Sequence, residues 1–299
     1  MPSHRVGNRR ALLQREASEA PPLSAIVTAS PLRYYGGLQF HARKIVEMLP
    51  PHDSYAEPFA GGMSVLLSKP QSDTECVSDI HPDVVNFWKV IQSAASRRRL
   101  FEMIEMTPYS RALFKESIGM LENGEKDSVL NAWLLLVTCN QAWNGHAVRD
   151  SDWSYAKGIS NRNADAWAGL PARLELAGRR LQGTQIECLP YHEILHRLDQ
   201  PKAAIFLDPP YMPSTRGATK VYEHEFNREQ HKQLLQTVGK LRKAQVILCG
   251  YRNRMYDESL EDWHRTDFTT KSFAASRTIG CRLDERVLSV WTNYDPPSR

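Results

Sequence analysis

The sequence predicts an α/β fold: a mostly parallel, doubly wound sheet with helices on both faces, interrupted by an inserted segment of helices and loops. Three observations predict it. Short apolar runs of strand length alternate with helix-length stretches in two separated blocks, one near 53–92 and one near 184–292. Between them, residues 100–140 carry Leu, Met and Trp at helical spacing, and residues 140–169 lose all periodicity. Finally, 299 residues with 41% hydrophobic content can bury one large core, or one core plus a smaller domain.

In the first block, Asp53-Ser54-Tyr55-Ala56 reads as a strand that feeds Glu57-Pro58-Phe59-Ala60-Gly61-Gly62. Glycines there let the backbone approach a ligand closely, and Val65-Leu66-Leu67 begins a short helix whose N-terminus offers unbonded N–H groups. Glu75-Cys76-Val77-Ser78 is a second strand, ending at Asp79. An acid about 20 residues past a glycine turn is where nucleotide-binding βαβ units hold ribose hydroxyls. The full GxGxxG is absent, and no GxxxxGK[ST] occurs anywhere, so a phosphate ligand has little support. The pattern suits an adenosine ligand without pyrophosphate, and S-adenosylmethionine is the candidate.

The second block opens with a strand near 184–188 and a helix from 191. The run Ala203-Ala204-Ile205-Phe206-Leu207 then reads as a buried strand leading into Asp208-Pro209-Pro210-Tyr211. Open α/β sheets bind ligands at the carboxyl ends of their strands. Two consecutive prolines stiffen the turn. The turn offers a carboxylate, a carbonyl and an aromatic face, a set that suits a planar base with an exocyclic amine. Asp208 and a backbone carbonyl would accept the two N–H bonds while Tyr211 stacks on the ring. Taken alone, the four residues also fit a rigid turn with Tyr211 packed on the surface. A helix over Arg228–Leu241, a strand over Gln245–Cys249, a helix near 254–261 and a strand near 286–292 complete the block.

Pro31-Leu32-Arg33-Tyr34-Tyr35-Gly36-Gly37, Glu57 to Gly62 and Asp208 to Tyr211 stand in the order seen in Dam-type (D12 class) DNA adenine-N6 methyltransferases, and the chain resembles that family. The resemblance takes in Asn86-Phe87-Trp88, Thr107-Pro108-Tyr109 and the closing Glu285–Asn293, so it covers roughly residues 30–294. It implies a Rossmann-like methyltransferase domain over 31–99 and 184–299, with a target-recognition domain inserted at 100–183. It also implies S-adenosylmethionine as cofactor, bound by Tyr34, Tyr35, Gly36, Gly37, Glu57, Pro58, Phe59, Ala60, Gly61, Gly62 and Asp79. Asp208, Pro209, Pro210 and Tyr211 become the catalytic turn. There are three departures. Leu38 stands where the family usually has a lysine after the paired glycines, and Pro190 where an acid usually meets the cofactor's adenine. Met63 replaces a further glycine. Glu187 could replace the missing acid only with a shift of register.

The 140–169 segment is polar and punctuated by glycine, yet holds Trp143, Trp153 and Trp167. Long loop-rich inserts in compact domains are usually functional or disordered, and tryptophans weigh against disorder. Asn, Gln and Arg read base edges while Lys and Arg hold phosphates. Asn144, Arg149, Lys157 and Arg162 are therefore the DNA-binding candidates, with double-stranded DNA the expected partner. Tyr222, His224 and Phe226 could shape the DNA-side wall, and Phe273 could close the base pocket; packing roles fit these four as well.

Net charge is +4, compatible with a polyanion partner without demanding one. Residues 1–30, with Arg5, Arg9, Arg10 and Arg15, read as a disordered basic tail without the apolar stretch of a signal peptide. The longest uncharged apolar run, Trp133 to Cys139, falls far short of the roughly 20 residues a membrane span needs. Five scattered cysteines without a CxxC pair argue against disulfides or a zinc site. A cytoplasmic monomer without a metal, in a bacterium or phage-infected cell, is the expectation. The expected reaction is direct methyl transfer to the N6 of an adenine flipped out of the duplex. Two alternatives share the motifs: a methyltransferase acting on RNA or a protein amide, and a non-catalytic DNA-binding protein with a decayed cofactor pocket.

Overall fold

A computed structural model describes residues 29–143, 152–155, 162–212, 226–271 and 285–297. The described residues contain seven strands: β1 (Ser54–Glu57), β2 (Thr74–Ser78), β3 (Gln185–Glu187), β4 (Ala203–Leu207), β5 (Gln245–Tyr251), β6 (His264–Lys271) and β7 (Glu285–Thr292). They form one sheet in the order β3-β2-β1-β4-β5-β7-β6. Pairings among β1 to β5 are parallel, whereas β7 runs antiparallel to β5 and to β6. Strand order reverses between β1 and β4, which puts a crevice at their carboxyl ends, where Glu57 and Asp208 emerge.

Eleven helices lie among the described residues. Those preceding β3 are α1 (Ala42–Met48), α2 (Ser64–Ser68), α3 (Pro82–Gln92), α4 (Ala94–Glu105), α5 (Arg111–Glu122), α6 (Ser128–Gln141), α7 (Arg162–Ala168) and α8 (Leu170–Arg180). Beyond β3 come α9 (Tyr191–Leu198), α10 (Arg228–Val238) and α11 (Arg254–Ser259). Helix starts follow from capping chemistry. Asp127 accepts from the N–H groups of Val129 and Leu130 at α6, and Asn227 and Gln230 form a reciprocal capping box at α10. Helix α10 ends at its C-cap Gly239, short of the Leu241 boundary expected from the pattern.

Strand alternation divides the core between the two faces. Ala204 and Phe206 of β4 join Tyr55, Val77, Ile247 and Val290 against α1, α2, α3, α4, α6 and α8. Ala203, Ile205 and Leu207 join Ala56, Val246, Leu248 and Trp291 against α9, α10 and α11. A strand covered on both faces must be apolar throughout, which is why β4 reads as a continuous hydrophobic run. Helices α4, α6 and α8 share the first core, where Leu100, Ile104, Leu135, Leu136, Leu170 and Leu174 join Val65 and Phe87, whereas Phe114 and Ile118 of α5 form a smaller cluster with Ala142.

Three features depart from the sequence reading. Strand β6 has no apolar run to announce it: it pairs with β7 alone at the sheet edge and shows water Arg265 and Asp267. Residues 162–168, expected as loop, form α7, and Trp167 is buried there with its Nε1 donating 3.0 Å to the Thr107 carbonyl. Ser30, assigned to the tail, is buried, its Oγ hydrogen-bonded to Leu32; residues 1–28 lie outside the described residues. No helix among the described residues is long and apolar enough to cross a membrane.

Candidate active site

The turn after β1 is built around Asp79. Its Oδ2 accepts from the Gly61 N–H and its Oδ1 from the His81 N–H, both at 2.9 Å, so one carboxylate braces the glycine turn and the start of α3. The Trp88 indole N–H donates to the Gly61 carbonyl at 2.9 Å from the other side. Gly61 has φ +41°, and a side chain there would press on the Tyr34 ring at 3.3 Å. Met63 also takes a left-handed conformation, φ 50°, as the N-cap of α2. A glycine would adopt it freely; methionine costs about 1–2 kcal/mol there, which burial of its side chain offsets.

The segment before α1 docks on the end of α6. Asn140 accepts from the Arg33 N–H and donates to the Pro31 carbonyl, each at 3.0 Å. That clamp carries Tyr34-Tyr35-Gly36-Gly37 to the glycine turn. Together these segments and the ends of β1 and β4 enclose a cavity of about 310 Å³. Every residue expected to bind cofactor, from Tyr34 through Asp79, lines it, and so do Asp208 and Pro210. Pro209 and Tyr211 do not; the Tyr211 ring is buried edge-to-face against Tyr251, centroids 4.8 Å apart.

The lining holds three carboxylates, Glu57, Asp79 and Asp208, and among the described residues no Lys or Arg. Asp208 follows β4 directly, and its Oδ1 is buried without a hydrogen-bond partner among the described residues. Burial pushes its carboxyl up to about 7, with the Tyr211 hydroxyl pulling the other way. Glu57 is likewise pushed up to about 7 by burial, against hydrogen bonds from the Tyr55 hydroxyl and the Leu66 N–H. Behind Asp208 lie Cys249 and Tyr256, held protonated by burial and then by the Asp208 charge; neither supplies a counter-ion.

Sequence reasoning named Phe59 and Phe226 but missed Tyr191 and the aromatic wall that the three rings build. Tyr191 stacks on Phe59 at 5.4 Å, and Phe226 meets both rings edge-on at 5.8 and 5.9 Å. Phe226 is therefore a buried cavity residue, whereas Tyr222, His224 and Phe273 lie outside the described residues. Ile80, exposed and directly after Asp79, adds an apolar contact. Of the departures from the family pattern, Leu38 and Pro190 both line the cavity, which makes apolar the two places where a lysine and an acid were expected. Glu187 does not substitute: it pairs in register with Ser78 on β3, and its carboxylate lies 3.8 Å from Arg197.

A profile of the D12 class N6 adenine-specific DNA methyltransferases matches residues 34–279. The chain belongs to that family. It is a DNA adenine-N6 methyltransferase, and DNA is the substrate the family implies. No curated protein matches the chain significantly. Methyltransferases of this kind typically use S-adenosylmethionine, and the cavity fits that molecule. Its size suits an adenosine derivative; three carboxylates, with no Lys or Arg among the described lining residues, disfavour phosphates and favour a sulfonium and an ammonium group; the aromatic wall suits a purine.

Of the DNA-binding candidates, Asn144, Arg149 and Lys157 lie outside the described residues, and Arg162 is the first residue of α7. The neighbouring tryptophans have packing partners. Trp153 donates to Gln141 at 3.2 Å and lies 5.1 Å from the Tyr109 ring, while Trp167 faces the core. Among the described residues, no cluster of three or more His, Cys, Asp or Glu could hold a metal.

Proposed function

We propose that this D12 methyltransferase binds S-adenosylmethionine in the acidic cavity and methylates N6 of an adenine flipped out of duplex DNA, with Asp208-Pro209-Pro210-Tyr211 as the catalytic turn. The observation that carries the reading is the Asp208 Oδ1, buried and without a hydrogen-bond partner among the described residues, on a cavity wall whose described residues include no Lys or Arg. A buried carboxylate oxygen left unsatisfied costs free energy until a donor arrives. An exocyclic amine is such a donor.

S-adenosylmethionine supplies an activated methyl group on a positively charged sulfur. Asp208 and the Pro209 carbonyl accept hydrogen bonds from the two N6–H groups and so aim the nitrogen lone pair along the transfer axis, a contribution of positioning rather than of strong base strength. Asp208 takes the proton that the amine sheds once the new C–N bond has formed. Tyr211, whose ring is buried against Tyr251 and lies off the cavity lining, stacks on the flipped base once the base reaches the turn. Asp79, on the cavity wall, receives the ribose hydroxyls. Asn144, Arg149, Lys157 and Arg162 contact the duplex.

Labelled S-adenosylmethionine incubated with unmodified duplex DNA tests the proposal. Label recovered as N6-methyladenine, more from duplex than from single strands of equal sequence, is the expected product. Label recovered in RNA or protein instead would move the substrate to another class.

A further inference from the structure

Behind the cavity wall lies a charged cluster that the proposed chemistry leaves unexplained. Tyr55 and Glu57 lie two residues apart on β1 and therefore point to the same face of the sheet. The Tyr55 hydroxyl donates to Glu57 Oε1 at 2.6 Å. Glu57 lines the cavity; Tyr55, 1% exposed, does not. The Lys69 ammonium sits 4.4 Å over the Tyr55 ring and pairs with Glu75 at 2.7 Å. Arg180, the last residue of α8, grips Glu75 with both terminal nitrogens at 2.6 and 2.7 Å. It also donates to the carbonyls of Leu66 and Lys69 at the far end of α2, the helix that follows the glycine turn.

Charge counting separates a structural role from a functional one. Lys69, Arg180 and Glu75 are all buried and together carry one surplus positive charge. Stability alone does not call for that surplus in a dry core, where unbalanced charge is costly. An ionised Glu57 balances it. We propose that Tyr55 is a positioning residue for cofactor binding: its hydroxyl, backed by the Lys69–Glu75–Arg180 network, holds the Glu57 carboxylate against the cationic side of the cofactor. The inference rests on the reading of Glu57 as a cofactor contact.

The titratable groups around Glu57 are Tyr55 on β1, Lys69 after α2 and Glu75 on β2, with Arg180 on α8 acting on Tyr55 and Glu75. Asp79, His81, His192 and Asp208 line the same cavity, and His52 lies 5.7 Å from the Tyr55 ring. Removing the Tyr55 hydroxyl leaves all of these charges in place.

Calorimetric titration of S-adenosylmethionine into wild type, Tyr55→Phe and Glu57→Gln from pH 6 to 9 tests the proposal, with a thermal melt of each protein as the control for folding. Tyr55→Phe should bind about tenfold more weakly than wild type at pH 6 and equally well at pH 9, the consequence of losing one hydrogen bond to a charged group. Lys69→Met should move the curve in the same direction. A Tyr55→Phe curve that superimposes on wild type, or lies below it by one constant factor at every pH, overturns the proposal. Glu57→Gln binding as tightly as wild type would instead remove the reading of Glu57 on which it rests.

Discussion

Replacing Asp208 with Asn should stabilise the protein above neutral pH while it abolishes the reaction. Burial raises the Asp208 carboxyl from 3.8 to about 7. The folded state therefore binds the proton more tightly than the unfolded chain, and wild-type stability falls as pH rises from about 4 through about 7. A shift of roughly three units at about 1.4 kcal/mol each sets a ceiling of about 4 kcal/mol. Part of Asp208 faces the cavity, so water screens the charge and the measured loss lies below that ceiling. Asparagine has nothing to ionise. The urea-unfolding free energy of Asp208→Asn minus that of wild type should be nearly constant below pH 4, climb between pH 4 and 7, and level off near pH 8. Glu57, also raised to about 7, is present in both proteins and cancels in the difference. A difference that stays flat from pH 4 to 8 would refute the reasoning.

Other changes probe the frame. Burial raises the Glu75 carboxyl, but hydrogen bonds from Arg180 and Lys69 prevail and hold it near about 2. Its stabilising contribution is thus present above about 4.5 and lost as pH falls toward 2, and Glu75→Gln should cost about 3–5 kcal/mol in urea unfolding at pH 7 by stranding two buried cations. Gly178 on α8 meets the Ile91 carbonyl and the Arg97 guanidinium; a methyl group there would lie 2.6 Å from that carbonyl oxygen. Gly178→Ala should therefore destabilise by about 1–3 kcal/mol in the same assay. Asp79→Ala removes the acceptor for both the Gly61 and His81 N–H groups, so cofactor affinity by calorimetry should drop at least about tenfold; unchanged affinity would mean that the turn holds its shape without it.

The legible parts of the fold were those whose environment is one-sided. Strand β4 announces itself because both of its faces are covered. The Asp208 turn follows it with no ambiguity of register. Strand β6 was illegible because an edge strand keeps polar side chains in water, and α7 because its only large apolar residue is Trp167. At the site, the glycine turn from Glu57 to Gly62 and Asp79 carry a local signal, whereas Tyr34 to Gly37 were expected only from the family resemblance. The aromatic wall of Phe59, Tyr191 and Phe226 joins three segments far apart in the chain, so no local pattern could reveal it. The Tyr55–Glu57 contact was within reach of the sequence, since alternate residues of a strand share a face, but the cations behind it were not.

The central claim is that the acidic cavity holds the cofactor and Asp208 acts on the base beside it. Single-turnover methyl transfer to duplex DNA, measured alongside calorimetric S-adenosylmethionine binding for wild type and Asp208→Asn, tests it most directly. The account predicts that the variant binds the cofactor within about threefold of wild type, because Glu57 and Asp79 still face the cofactor's cationic groups, and transfers no detectable methyl group. Transfer by Asp208→Asn at the wild-type rate would contradict it.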